Sequence, residues 1–287
     1  MKRIYANLKR FDIPAEYGGI NRFTRAPEWG NFIVRSTMGG LKQYANDEVE
    51  FVFFLPETHL INALNSVNGE TNIAIGCQSV FREDTAKGGN FGAFTSNRTA
   101  NSMKAIGCLD TIIGHSEERN DKEDLIREAS GTSLDVINRL LNKEIKAAIA
   151  AGMSVLYCIG EKEGEQERWQ EILREQLKIG LEGVETSSVT IAYEPIWAIG
   201  PKKTPPGKDY IQEVARFVKQ ETNGLPVIYG GGLKAENAGM LASIPEIDGG
   251  LVALTRFEGE IGFYPEEYLD IVQTFLGKNH SRESRCI

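Results

Sequence analysis

Short, mostly apolar runs alternate along the chain with longer segments in which apolar residues recur at helical spacing. Eight of these runs predict β-strands, and they cover residues 3–6, 51–55, 73–76, 111–114, 155–159, 189–193, 227–229 and 250–253. Strands that are apolar on both faces are typical of parallel sheets, because helices cover such sheets on either side. The pattern therefore predicts an α/β protein built around a buried parallel sheet.

Two of the predicted helices show a clear apolar face. The first face consists of Ile137, Leu140, Leu141, Ile145, Ala148 and Ile149, and the second of Tyr268, Leu269, Val272, Phe275 and Leu276. Because a helix follows each strand and no Pro/Gly/Ser-rich linker intervenes, residues 1–277 are expected to form a single (β/α)8 barrel domain. Residues 278–287 are expected to be a polar tail. An open, doubly wound sheet is the alternative, but no G-x-G-x-x-G turn follows the first strand.

Composition narrows the class of partner. The 287 residues carry a formal net charge of −8, from 32 Lys and Arg against 40 Asp and Glu. Without a tract of positive charge, neither a nucleic acid nor a membrane surface is an expected partner, and small-molecule chemistry is favoured. No apolar run approaches the ~18 residues of a membrane-spanning helix, and the first residues do not resemble a signal peptide. We therefore expect a cytoplasmic protein.

Cysteine and histidine positions argue against a metal centre. The four cysteines, Cys77, Cys108, Cys158 and Cys286, form no C-x-x-C pair, and the three histidines belong to no H-E-x-x-H motif. The sequence therefore predicts reduced thiols, no disulfide framework, no metal site and no cofactor.

Polar residues follow several of the predicted strands at the point where each strand ends. Asn7 and Lys9 follow the first strand, His115 and Glu117 the fourth, and Glu194 the sixth. In a (β/α)8 barrel these ends meet at one mouth, where the active site lies. A carboxylate, an imidazole and an ammonium group can remove a proton beside a carbonyl and stabilise the oxyanion. Taken singly, Glu194 could begin a loop, His115 could be a core histidine and Lys9 a solvated cation.

Six motifs carry a family resemblance, and they stand in order along almost the whole chain. They are Asn7-Leu8-Lys9, Gly92-Ala93-Phe94-Thr95, Ile113-Gly114-His115-Ser116-Glu117, Cys158-Ile159-Gly160-Glu161, Ala192-Tyr193-Glu194-Pro195-Ile196-Trp197-Ala198-Ile199-Gly200 and Tyr229-Gly230-Gly231. At these residues the chain resembles the triosephosphate isomerase family. The resemblance implies a (β/α)8 barrel and a cofactor-independent aldose–ketose isomerase.

The resemblance also implies a role for each matched polar residue. Glu194 would be the base that moves a proton between adjacent carbons, and His115 would polarise the carbonyl. Lys9 would balance the negative charge of the substrate and the enediolate, and Asn7 would help to place the substrate. Glu117 would hold Lys9 and His115 in register, and the segment after Glu194 would close as a lid.

The phosphate site is where the chain departs from the family pattern. Family members bind the substrate phosphate through backbone N–H groups, and the matching positions here are Gly200, Gly231, Gly232, Ala253 and Leu254. Gly232 replaces a serine, and Ala253 and Leu254 replace a Gly-Gly pair, so a reshaped anion site is expected. Lys202 or Arg256 could add a charge-assisted contact, or both could be solvated surface cations.

Thr95 resembles the loop tip with which one family subunit contacts the next, which implies a homodimer. Three functions remain open. The first is interconversion of dihydroxyacetone phosphate and glyceraldehyde 3-phosphate, a reaction of glycolysis and gluconeogenesis. The second is the same chemistry on another ketose phosphate, such as a tetrulose phosphate. The third is a non-catalytic sugar-phosphate-binding barrel.

Overall fold

The fold is a closed barrel surrounded by helices. The computed structural model describes residues 1–67, 72–129, 135–200 and 203–277. Its eight parallel strands pair in chain order and close on themselves. They are β1 (Lys2–Asn7), β2 (Val49–Leu55), β3 (Ile73–Gln78), β4 (Asp110–Ile113), β5 (Ser154–Ile159), β6 (Val189–Tyr193), β7 (Val227–Tyr229) and β8 (Gly249–Val252). The predicted (β/α)8 barrel is confirmed.

Nine α-helices lie within the described ranges, most of them following a strand. They are α1 (Trp29–Leu41), α2 (Glu57–Ser66), α3 (Ala100–Ala105), α4 (Ser116–Glu128), α5 (Asp135–Ala150), α6 (Trp169–Gly180), α7 (Lys208–Glu221), α8 (Ala235–Ala242) and α9 (Pro265–Leu276). Helix α9 ends before Gly277, whose φ of +68° suits glycine. The expected polar tail at residues 278–287, which includes Cys286, lies outside the described residues.

All eight predicted strands are present. The bounds of β6 and β7 agree with the prediction, and the other strands differ by one or two residues at an end. Strand β8 ends at Val252, so Ala253 belongs to the turn that follows rather than to the strand. The barrel closes between β1 and β8, where a Cβ on Gly249 would lie 1.6 Å from the carbonyl oxygen of Arg3. Only glycine allows so close an approach.

Two apolar layers stabilise the barrel. Tyr5, Val52 and Phe54 belong to the layer inside it, whereas Phe51 and Phe53 pack outward in the layer beneath the helices. This division follows from the alternation of side chains along a strand. A sheet buried on both faces explains why the strands read as continuous apolar runs. None of the described helices has the length and apolar character that crossing a bilayer requires.

Candidate active site

Glu194 and His115 meet at the carboxyl ends of β6 and β4. Glu194 Oε1 lies 3.1 Å from His115 Nε2. The backbone N–H of Ser116 donates to Glu194 Oε2 at 3.0 Å. Glu194 is only 1% exposed, and burial raises the pKa of its carboxyl group although His115, Ser116 and Lys9 oppose the shift. The predicted base and electrophile are therefore direct neighbours.

The hydrogen bonds of His115 assign its tautomer. His115 is the N-cap of α4, and its Nδ1 accepts the backbone N–H of Glu117 at 3.3 Å. An accepting Nδ1 carries no proton, so in the neutral imidazole the proton lies on Nε2, which faces Glu194. His115 is thus built to donate a hydrogen bond from Nε2 at the mouth.

Lys9 is fixed beside this pair. Its Nζ lies 2.6 Å from Glu117 Oε1, and its φ of +41° is unusual for a residue with a side chain. Asn7 Oδ1 accepts the Lys9 backbone N–H at 3.2 Å. Burial acts to raise the pKa of Glu117, but the Lys9 hydrogen bond and charge outweigh it and hold that pKa below its usual range. Glu117 therefore stays ionised and orients the ammonium.

Gln78 is a polar residue of this site that the sequence reasoning missed. Its Nε2 donates to Asn7 Oδ1 and to the Lys9 carbonyl, both at 3.2 Å. Gln78 is the last residue of β3, so its place at a strand end was a signal that could have identified it. It braces the turn that carries Lys9.

The segment after Glu194 is anchored on Glu161. Its carboxylate Oε1 accepts Trp197 Nε1–H at 2.6 Å, Tyr193 O–H at 2.8 Å and Tyr210 O–H at 3.1 Å. The Glu161 carbonyl also accepts the backbone N–H of Ile196 at 3.1 Å. Burial raises the pKa of Glu161, and the donated hydrogen bonds oppose this shift. One buried carboxylate thus holds the beginning of the predicted lid, within which residues 201 and 202 lie outside the described part of the chain.

The turns after β7 and β8 contain unpaired backbone donors. The N–H groups of Gly231, Gly232, Ala253 and Leu254 donate no hydrogen bond to any other described residue. Gly232 has a φ of +92°, which favours glycine. Successive unpaired N–H groups at strand ends form an anion-binding surface. The predicted substrate-binding positions on these two turns are therefore available to an anion, although two of them carry a Cβ.

Of the two cations predicted as possible phosphate contacts, the structure describes one. Arg256 donates through both Nε, at 2.9 Å, and Nη2 to Glu267, and its guanidinium stacks on Tyr264 with its carbon 3.6 Å from the ring centroid. Its charge is therefore already matched, as expected of a surface cation. Lys202 lies outside the described residues.

Thr95 stands on an exposed loop between β3 and α3. The loop also carries Phe91, which is 94% exposed. A cavity of about 740 Å³ lies between this loop and the catalytic side chains, and Lys9, His115 and Glu117 line part of it. An aromatic ring so fully exposed is unusual for an isolated surface.

An imidazole lies against a buried carboxylate at the mouth of a (β/α)8 barrel, and an ammonium group lies beside them. This arrangement defines an enzyme of acid–base chemistry. Residues 33–273 match the family model described as triosephosphate isomerase. The chain belongs to the triosephosphate isomerase family, and it is an isomerase.

Individual relatives agree with this assignment. Triosephosphate isomerase of Geobacter metallireducens is 35% identical over 218 residues, which cover 71% of this chain and 79% of that protein. The Dictyoglomus thermophilum enzyme is 32% identical over 242 residues, covering 79% and 87%. The crystal structure of triosephosphate isomerase from Bartonella henselae shares the fold, with a TM-score of 0.71 and 23% identity over 96% of this chain and 99% of that one.

Proposed function

We propose that this isomerase interconverts dihydroxyacetone phosphate and glyceraldehyde 3-phosphate through an enediolate, without a cofactor. The observation that carries the proposal is the 3.1 Å approach of Glu194 Oε1 to His115 Nε2. A base and a hydrogen-bond donor this close can act on neighbouring atoms of one small substrate.

The proton steps balance within these two side chains. Glu194 takes a proton from the carbon beside the carbonyl, and the C–H electron pair forms the enediolate double bond while the carbonyl pair moves to oxygen. His115 Nε2–H donates to that oxygen and then recovers a proton from the neighbouring hydroxyl. Glu194 returns its proton to the adjacent carbon. The product is the isomer, and the enzyme ends in its starting state.

A positive charge at the mouth of the barrel can stabilise the enediolate. The Lys9 ammonium faces developing negative charge, Asn7 helps to place the substrate, and Glu117 keeps Lys9 oriented. Glu117 acts on Lys9 and on the N-cap of α4, so it is a positioning residue.

The phosphate is assigned to the backbone N–H groups of Gly200, Gly231, Gly232, Ala253 and Leu254. Support comes from the unpaired donors of the β7 and β8 turns. Residues 195–200 act as the lid, anchored through Trp197 on Glu161. Its closure would exclude water from the enediolate.

The function is tested by incubating the protein with dihydroxyacetone phosphate in D₂O. We expect formation of glyceraldehyde 3-phosphate with one solvent deuterium on carbon, because the proton on Glu194 exchanges with solvent. Failure with both triose phosphates but turnover of a tetrulose phosphate would transfer the same chemistry to a longer ketose phosphate. Binding of sugar phosphates with no carbon exchange would instead indicate a non-catalytic barrel.

A homodimer is proposed as the assembly, with the loop around Thr95 contacting a second copy. The exposed Phe91 on that loop and the cavity beside Lys9 support a contact between the two. We expect the chain to sediment at about twice its mass of 31.8 kDa. Thr95→Arg, which places a bulky charge at the contact, should yield monomers with reduced turnover. Ser188→Arg, on the exposed loop before β6, is the control, and equal masses for both variants would contradict the contact.

The cytoplasm is the proposed compartment, with a role in glycolysis and gluconeogenesis. Cys77, Cys108 and Cys158 are free and buried, which suits a reducing environment.

A further inference from the structure

We infer that Lys234 is a ligand of the substrate phosphate and supplies the charge that the reshaped turn after β8 requires. The inference rests on the proposed function, since it assigns the phosphate to the turns after β7 and β8. Lys234 belongs to none of the motifs that carried the resemblance.

Lys234 lies beside the turn after β7. Lys234 stands two residues after Gly232, between β7 and α8, and its Cε would lie 3.7 Å from a Cβ placed on Gly232. Leu233, between them, is fully buried and donates its backbone N–H to the Leu251 carbonyl at 3.1 Å. The Leu233 side chain thus fixes the turn from below, while the Lys234 side chain extends over the glycine whose N–H is unpaired.

The ammonium group of Lys234 has no carboxylate partner among the described residues. Lys234 forms no ion pair with any described carboxylate, whereas Lys9 is paired with Glu117 and Arg256 with Glu267. Its Nζ lies 3.8 Å from the centroid of the Phe257 ring. A cation–π contact orders an ammonium group without neutralising it. The charge of Lys234 therefore stays available to an anion.

The altered turn after β8 needs an additional positive charge to bind a phosphate. Ala253 and Leu254 retain their N–H donors, but their side chains limit how closely an anion can approach. An ammonium on a flexible stem can reach a phosphate that lies further from the backbone. The loop after β8 also supplies Phe257, and this loop is held by the antiparallel bridge between Arg256 and Gly262. The segment that carries the altered turn thus also carries the ring that orders Lys234.

The test measures binding of inorganic phosphate by calorimetry, which needs no turnover. Lys234→Met should weaken binding about tenfold, because one charge-assisted contact is lost. It should also raise KM for glyceraldehyde 3-phosphate more than it lowers kcat. The phosphate affinity of Lys234→Arg should stay within about threefold of that of the unaltered protein, since the charge is kept. The phosphate affinity of Phe257→Leu should lie between those of the other two variants, because the ammonium is no longer ordered by the ring but keeps its charge.

Arg256→Gln is the matched control, since that charge is already paired, and it should bind phosphate as the unaltered protein does. A merely structural role for Lys234 would lower the melting temperature of Lys234→Met without changing phosphate affinity. Unchanged affinity in Lys234→Met and Phe257→Leu would overturn the inference. Calorimetry detects phosphate binding even in an inactive protein. Failure of the isomerase proposal would therefore appear separately, as an absence of solvent deuterium on the substrate carbons in D₂O.

Discussion

Replacing Glu194 with glutamine is expected to lower kcat for glyceraldehyde 3-phosphate by about 10²–10⁴-fold or more. An amide of the same shape can still accept the Ser116 N–H but cannot take a proton from carbon. A coupled assay measures the effect. Glu171→Gln, on the exposed face of α6, is the control and should retain full activity. Retention of activity within about tenfold by Glu194→Gln would exclude Glu194 as the base.

The pH dependence of kcat/KM should report the ionisation of Glu194. Burial raises the pKa of Glu194, and the base works only when ionised, so kcat/KM should fall with decreasing pH at a value above that of an ordinary glutamate. The contribution of Glu194 to folding stability changes with pH in the opposite direction. A raised folded-state pKa favours the folded state at low pH, and this contribution disappears as pH rises through that pKa. The contribution of Glu194 to the free energy of unfolding, measured by urea denaturation, should therefore increase as pH is lowered from neutral through that pKa.

Arg119→Met is expected to cause the largest loss of stability, about 3–5 kcal/mol, because several buried acceptors would lose their donors. The buried Arg119 guanidinium donates to the carbonyls of Gly114, at 2.8 Å, and Cys158, at 3.0 Å, and to Asn138 Oδ1 at 2.9 Å. It also donates to the Tyr157 hydroxyl at 3.1 Å. These bonds join the ends of β4 and β5 to α5.

Urea denaturation measures this loss. Arg127→Met is the matched control, because Arg127 lies on the same helix with a 70% exposed side chain and pairs with Glu123. It should change the free energy of unfolding by less than about 1 kcal/mol. Equal losses in the two variants would contradict the assignment of Arg119 as a structural hub. Since Gly114 precedes His115, Arg119→Met should also reduce turnover under conditions in which it remains folded.

The fold and the central pair of the site were predictable because each depends on a local pattern. An apolar run bounded by polar residues marks a buried strand, and parallel strands bring their carboxyl ends together. Glu194 and His115 consequently meet although they are far apart in the sequence. Ser116, the residue after His115, is 78 positions from Glu194. The family motifs added the roles but not the contacts.

Other features depend on contacts between distant elements, which no local pattern records. The Glu161 carboxylate accepts hydrogen bonds from β6 and α7, and nothing around Tyr210 indicates that its hydroxyl reaches the segment after β5. The pairing of Arg256 with Glu267 and the contact of Lys234 with Phe257 depend on the path of one loop. Gln78 is different, since its strand-end position was visible in the sequence and was not used.

The three donors on Glu161 have a consequence for the speed of lid motion. In the lid motion proposed above, departure of Trp197 would leave Tyr193 and Tyr210 bonded to the acceptor oxygen. The vacated position would therefore keep its shape, and the indole would return to an acceptor that needs no rearrangement. Ordering such an acceptor anew would lose side-chain entropy in every catalytic cycle. A docking point of this kind would allow the proposed lid to open and close repeatedly with a low barrier on the return step.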